Sequence, residues 1–89
     1  MNDYEEDHYF ITKVNNDTSV DWSEIFGLFC GEICIHLLSE SNKDRYINDE
    51  IYRGKIVDLI KIKTTSEKDE NSYSLRVSLN KRTLNEHEQ

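Results

Sequence analysis

At 89 residues the chain has room for one domain. Hydrophobic residues make up 36% and charged residues 33%; a chain this short buries only about 60–65% of its unfolded surface, so an obligate partner is expected. The formal net charge of −7 opposes non-specific binding to nucleic acid or to an anionic membrane, because the phosphate-neutralising contribution is repulsive overall.

Residues 1–7 are acidic and polar, which predicts a disordered N-terminus and no secretory signal. Residues 8–14 read as a short strand or an extended arm, followed by a turn at Asn15-Asn16-Asp17. A helix is predicted over 21–29. Asp21 caps it, Glu24 stands at the capping-box position, and Val20 can staple to Ile25. Trp22, Ile25, Phe26 and Phe29 then fall on one helical stripe and anchor the helix to a core. Gly31 reads as the stop.

Beyond Gly31 the pattern changes period. Ile33, Ile35 and Leu37 alternate with Glu32, Cys34 and His36, predicting a strand over 32–38. The rival reading continues the helix to Ser39. Residues 39–50 are polar and loop-like. The run 51–63 is rich in branched residues and reads as a long strand, bent at Gly54, whose alternation slips phase near Asp58. Thr65 to Ser72 reads as a charged connection. Tyr73, Leu75, Val77 and Leu79 then alternate with Ser74, Arg76 and Ser78, the cleanest strand in the chain. Residues 81–89 form a polar tail in which Leu84 can dock.

Cys30, Cys34 and His36 are the only metal-like cluster, and no second ligand pair completes the four that a structural zinc site needs. Neither a metal nor a cofactor is expected. Tyr46, Tyr52 and Tyr73 have the chemistry to stack bases, but tyrosines in strands more often pack the sheet. No nucleophile–base arrangement or glycine-rich phosphate loop is present, so a non-catalytic role is expected. No apolar run approaches the ~18 residues of a membrane span. The two cysteines fit a reducing compartment, and a soluble intracellular protein is expected.

The order helix, strand, polar loop, glycine-bearing bent strand, strand resembles an Sm-like barrel over about residues 20–80. Asp21-Trp22 at the helix start and Tyr52-Arg53-Gly54-Lys55-Ile56 later are similar to the Sm-like Gemin subunits of the SMN complex. The resemblance implies a mainly β domain over residues 8–80, a small curved barrel, complete or lacking a strand. It implies a scaffold subunit, in cytoplasm and nucleus, that assembles spliceosomal small nuclear ribonucleoproteins. Its partners would be a second Sm-like protein, paired as a heterodimer, and further subunits of that complex. The pairing edges would be Tyr73, Leu75, Val77 and Leu79, with Ile60 and Ile62. The uridine-reading motif of the family is not matched: Ile62 stands where Asp58 should be followed by an asparagine, and Lys81-Arg82-Thr83 lacks the expected glycine. Direct RNA binding is therefore disfavoured. The acidic balance also admits a second function, a viral-type inhibitor that mimics nucleic acid.

Overall fold

A computed structural model describes residues 6–13, 22–68 and 72–86. The elements in chain order are β1 (Glu6–Lys13), α1 (Trp22–Leu37), α2 (Glu40–Asn48), α3 (Glu50–Ile62), β2 (Thr64–Lys68), β3 (Ser72–Leu79) and α4 (Lys81–Asn85). The strands form one antiparallel sheet in the order β1-β3-β2. The architecture is mainly helical with a small sheet. It is not a mainly β barrel, and the Sm-like fold expectation is corrected accordingly.

The first correction lies in α1, which runs straight through Gly31. Phe29, Cys30, Ile33, Cys34 and Leu37 are all buried, at spacings of three and four residues along one face. Ile35, which an alternating strand would bury beside Ile33, is 66% exposed. Gly31 keeps ordinary helical backbone angles, with no positive φ, so it does not act as a stop. Residues 32–37 of the predicted strand 32–38 are the second half of this helix; the rival reading, a helix continued to Ser39, overruns its end at Leu37 by two residues. Asp21 and Val20 lie outside the described residues, as do the turn at 15–17 and residues 1–5.

The second correction is α2, read from sequence as a loop. It buries no residue of its own, so no apolar stripe announces it. Its ends hold it instead. Ser39 caps the start, its Oγ accepting from the Asn42 N–H at 3.3 Å. Asp49 closes α2 through its own N–H, donated to the Arg45 carbonyl, and opens α3 with its carboxylate. That carboxylate accepts from the N–H groups of Ile51 at 3.0 Å and Tyr52 at 3.2 Å.

The third correction is the run 51–63, which is α3 and the turn that ends it. Tyr52, Ile56 and Ile60 are buried at intervals of four. The slipped alternation is therefore the helical period crossing an assumed strand period. Gly54 is an exposed helical position with nothing within 4 Å of a Cβ placed there, and no strand bends at it.

β3 matches its predicted span closely. Tyr73, Leu75, Val77 and Leu79 face inward and are buried, while Arg76 faces out. The core joins the inner face of β3 to Phe29, Cys30, Ile33 and Cys34 of α1, to Ile56 and Ile60 of α3, and to Leu84. The helices thus cover one face of the sheet. Fully burying one such aliphatic side chain contributes about 1.5–3 kcal/mol. Glu6 and Asp7, expected in a disordered arm, are the first residues of β1. Residues 81–85 of the expected tail form α4, with Leu84 fully buried.

Candidate protein-binding cleft

The sheet topology decides which backbone groups are available. β3 is the central strand, so both its edges are already paired. Tyr73, Leu75, Val77 and Leu79 therefore pack the core and offer no pairing edge, which corrects their expected role. Ile60 is fully buried in the core, and Ile62 is a 78% exposed helical residue; neither lies on a strand. Among the described residues, the strands paired on one side only are β1 and β2.

The hydrogen-bond parity of β2 follows from one bond. The Ser78 N–H donates to the Lys63 carbonyl at 3.1 Å, so 63↔78 is a hydrogen-bonded pair. Continuing the register, Thr65↔Arg76 and Glu67↔Ser74 are hydrogen-bonded pairs as well. Thr64, Ser66 and Lys68 then direct their own N–H and C=O groups away from β3, toward the free side.

Beside that edge lies a cleft of about 550 Å³. Thr64 and Ser66 of β2 form one wall. Phe26, Gly27 and Cys30 of α1, with Val57 and Lys61 of α3, line it too, along with Leu75 and Tyr46. Gly27 has nothing within 4 Å of where a Cβ would stand, so that part of the wall is open. Phe26 and Val57 are half-buried and pack against the core. The Thr64 hydroxyl donates to the Ile60 carbonyl, which fixes the start of β2 to the end of α3. The lining is mainly apolar with a few polar groups, the composition usual for a binding cleft.

The Cys30 thiol of this cleft and the neighbouring Cys34 thiol in the core are chemically quiet. Burial, reinforced by the neighbouring Cys34, pushes the Cys30 thiol up to about 12 against a weaker opposing effect of Lys61. Burial pushes Cys34 up to about 11, opposed by a hydrogen bond with Tyr46. Both stay protonated at neutral pH, and a thiol rather than a thiolate is a poor nucleophile. Burial likewise raises the Tyr46 phenol, with the two cysteines adding to the effect. The Arg53 guanidinium donates to the Tyr46 and Ile47 carbonyls at 2.9 and 3.0 Å, tying the start of α3 to the end of α2.

His36 does not join the cysteines. It is exposed on the far side of α1, 3.8 Å from Glu32, because a two-residue step rotates it about 200° from Cys34. Among the described residues no group of three or more His, Cys, Asp or Glu is placed to hold a metal. The three tyrosines considered for base stacking are separated: Tyr52 and Tyr73 are buried, and Tyr46 lines the cleft. Of the helix anchors, Phe29 is core, while Ile25 and Phe26 are half-buried against it. Trp22 begins α1, and its side chain lies outside the described set.

The residues that sequence reasoning missed are Gly27, Val57, Lys61, Thr64 and Ser66. Thr64-Thr65-Ser66 carried the available signal, since two threonines before a charged turn and the alternating strand 73–79 fit the first arm of a hairpin. No helix among the described residues is long and apolar enough to cross a membrane. No family model, curated protein or solved structure matches the chain.

Proposed function

We propose that this chain is a non-catalytic protein-interaction domain that takes an extended segment of a partner protein along the free side of β2. The observation that carries this reading is the position of the cleft: it opens directly between the edge strand and the helix layer. A segment paired with β2 gains backbone hydrogen bonds at Thr64, Ser66 and Lys68. Its alternate side chains enter the apolar space over Phe26, Val57 and Leu75, the recognition mode of strand addition. Lys61 stands on the rim and favours an acidic residue in the partner segment.

The role in spliceosomal assembly drew on strands at 32–38 and 51–63, both of which are helical, and nothing in the fold replaces that support. Nucleic acid fits poorly. The α2–α3 pair is joined by a tight turn, a shape that can enter a DNA groove, but Asp49 and Glu50 stand at that junction in a chain of charge −7. Among the described residues the acidic side chains are spread over the elements rather than set along one of them: Glu6 and Asp7 on β1, Glu24 and Glu32 on α1, Glu40 and Asp44 on α2, Glu50 and Asp58 on α3, Glu67 on β2; this spread does not favour mimicry of nucleic acid.

Selection from a displayed library of random peptides tests the proposal. Selected peptides are expected to alternate apolar residues. Gly27→Leu puts a side chain into the wall at a point where a Cβ meets nothing within 4 Å, and Ser66→Pro removes an outward N–H while leaving the β2–β3 ladder intact. Each is expected to weaken binding by about tenfold or more, ~1.4 kcal/mol, in a protein that keeps its helical circular dichroism. Peptides whose affinity is unchanged in both variants would rule the site out.

A further inference from the structure

The second edge of the sheet has a different character. β1 is eight residues long, Glu6–Lys13, and among the described residues nothing pairs with its outer side. Its parity follows from the same ladder. Residues 74, 76 and 78 of β3 turn to β2, so 73, 75, 77 and 79 turn to β1. Through the register His8↔Val77 and Phe10↔Leu75, the even residues of β1 bond to β3. Asp7, Tyr9, Ile11 and Lys13 therefore direct their N–H and C=O groups to the free side. On the sheet face away from the helices, Tyr9 is 62% and Ile11 64% exposed. A long edge strand with exposed apolar residues is a template for another strand.

The sequence of this edge identifies its partner. Glu6 and Asp7 stand at one end and Lys13 at the other. A parallel second copy would put like charges side by side, whereas an antiparallel copy puts each acidic end against the other's lysine. Parity and side-chain face allow only registers centred on a residue. Centred on Phe10, the register sets Asp7 opposite position 13, Tyr9 opposite Ile11, and Phe10 opposite its own copy. This matches opposite charges and an aromatic with a β-branched residue, both favourable cross-strand pairs. Shifting the centre to Tyr9 sets Asp7 against Ile11, and shifting it to Ile11 sets Tyr9 against Lys13; either breaks the 7↔13 and 9↔11 pairs within β1. On the helix side, Phe10 already packs against Phe29, with ring centroids 6.0 Å apart, and its copy would extend that aromatic cluster.

We propose that two copies of this chain associate through antiparallel β1–β1 pairing centred on Phe10. The product is a two-fold dimer with one continuous six-stranded sheet and all helices on one face. The β2 edges stand at its two outer ends, so self-association and the proposed partner site are separate.

Analytical ultracentrifugation of the full chain, from low micromolar upward, tests this. The mass is expected to rise with concentration to twice the 10.6 kDa of one chain. Ile11→Pro, which removes an outward N–H, is expected to remain monomeric with its circular dichroism intact. Asp7→Lys is expected to weaken association about three- to tenfold, and Asp7→Lys combined with Lys13→Asp to restore it. If Ile11→Pro fails to fold, the charge exchange decides. A wild-type chain that stays at 10.6 kDa, a folded Ile11→Pro dimer, or a double exchange no better than the single would overturn the proposal.

Discussion

Asn85 shows how much of this small fold rests on single polar side chains. Its Oδ1 accepts from the Ser39 N–H at 2.7 Å and from Asn42 Nδ2 at 3.0 Å. Its Nδ2 donates to the Leu37 carbonyl at 2.8 Å. One amide thus satisfies the end of α1 and the start of α2, and fastens α4 to both. Asp49 does comparable service between α2 and α3. The buried thiols give the residue scale its pH dependence. An ordinary thiol ionises near 9.0, whereas Cys34 is held up to about 11 and Cys30 up to about 12. Above about pH 9 the unfolded chain therefore releases protons that the folded chain keeps, so stability falls as pH rises from there toward 12 and is unaffected by these groups below 9. The urea midpoint is expected to drop between about pH 8 and pH 10.5, and to drop less in the Cys30→Val/Cys34→Val variant. Equal drops in both proteins would show that the thiols carry none of the effect.

At the scale of elements, α1 turns on its glycines. Gly27 and Gly31 lie inside a regular helix with open space where side chains would stand. Gly31→Ala is expected to raise stability by about 1 kcal/mol through helix propensity alone, read as a higher thermal midpoint. A turn at Gly31, as the sequence suggests, would make the same change neutral or harmful. The strand 73–79 was legible because one face is wholly buried and the other polar, so the period-two pattern is uncontaminated. The helical stripe at Ile25, Phe26 and Phe29 was legible for the same reason. Helices α1 and α3 were obscured because isoleucines occupy exposed positions, Ile35 in one and Ile51 and Ile62 in the other. These mix a strand-like composition into a helical period. α2 was invisible because its stability comes from caps and from Asn85, which lies 43 residues beyond Asn42. The cleft was hidden in turn, since the α3 and β2 residues in its walls belong to elements that local pattern reads as a strand and a connection.

For the whole molecule, the decisive feature is one helix layer on a three-stranded sheet whose two outer strands are each paired on one side among the described residues. A thin core is compatible with this arrangement, because strand addition extends the sheet and supplies burial that 89 residues cannot. The two edges differ in a way that suits two partners. β2 is short, polar and beside a cleft; β1 is long and complementary in charge to its own copy. The most direct test of the central claim is amide hydrogen exchange at β2, followed by NMR with and without a selected peptide. The outward amides of Thr64, Ser66 and Lys68 are expected to exchange quickly in the free protein and to become protected in the complex. The inward amides of Thr65 and Glu67 are expected to be protected in both. Unchanged exchange at Thr64, Ser66 and Lys68 when the peptide is saturating would contradict strand addition at this edge.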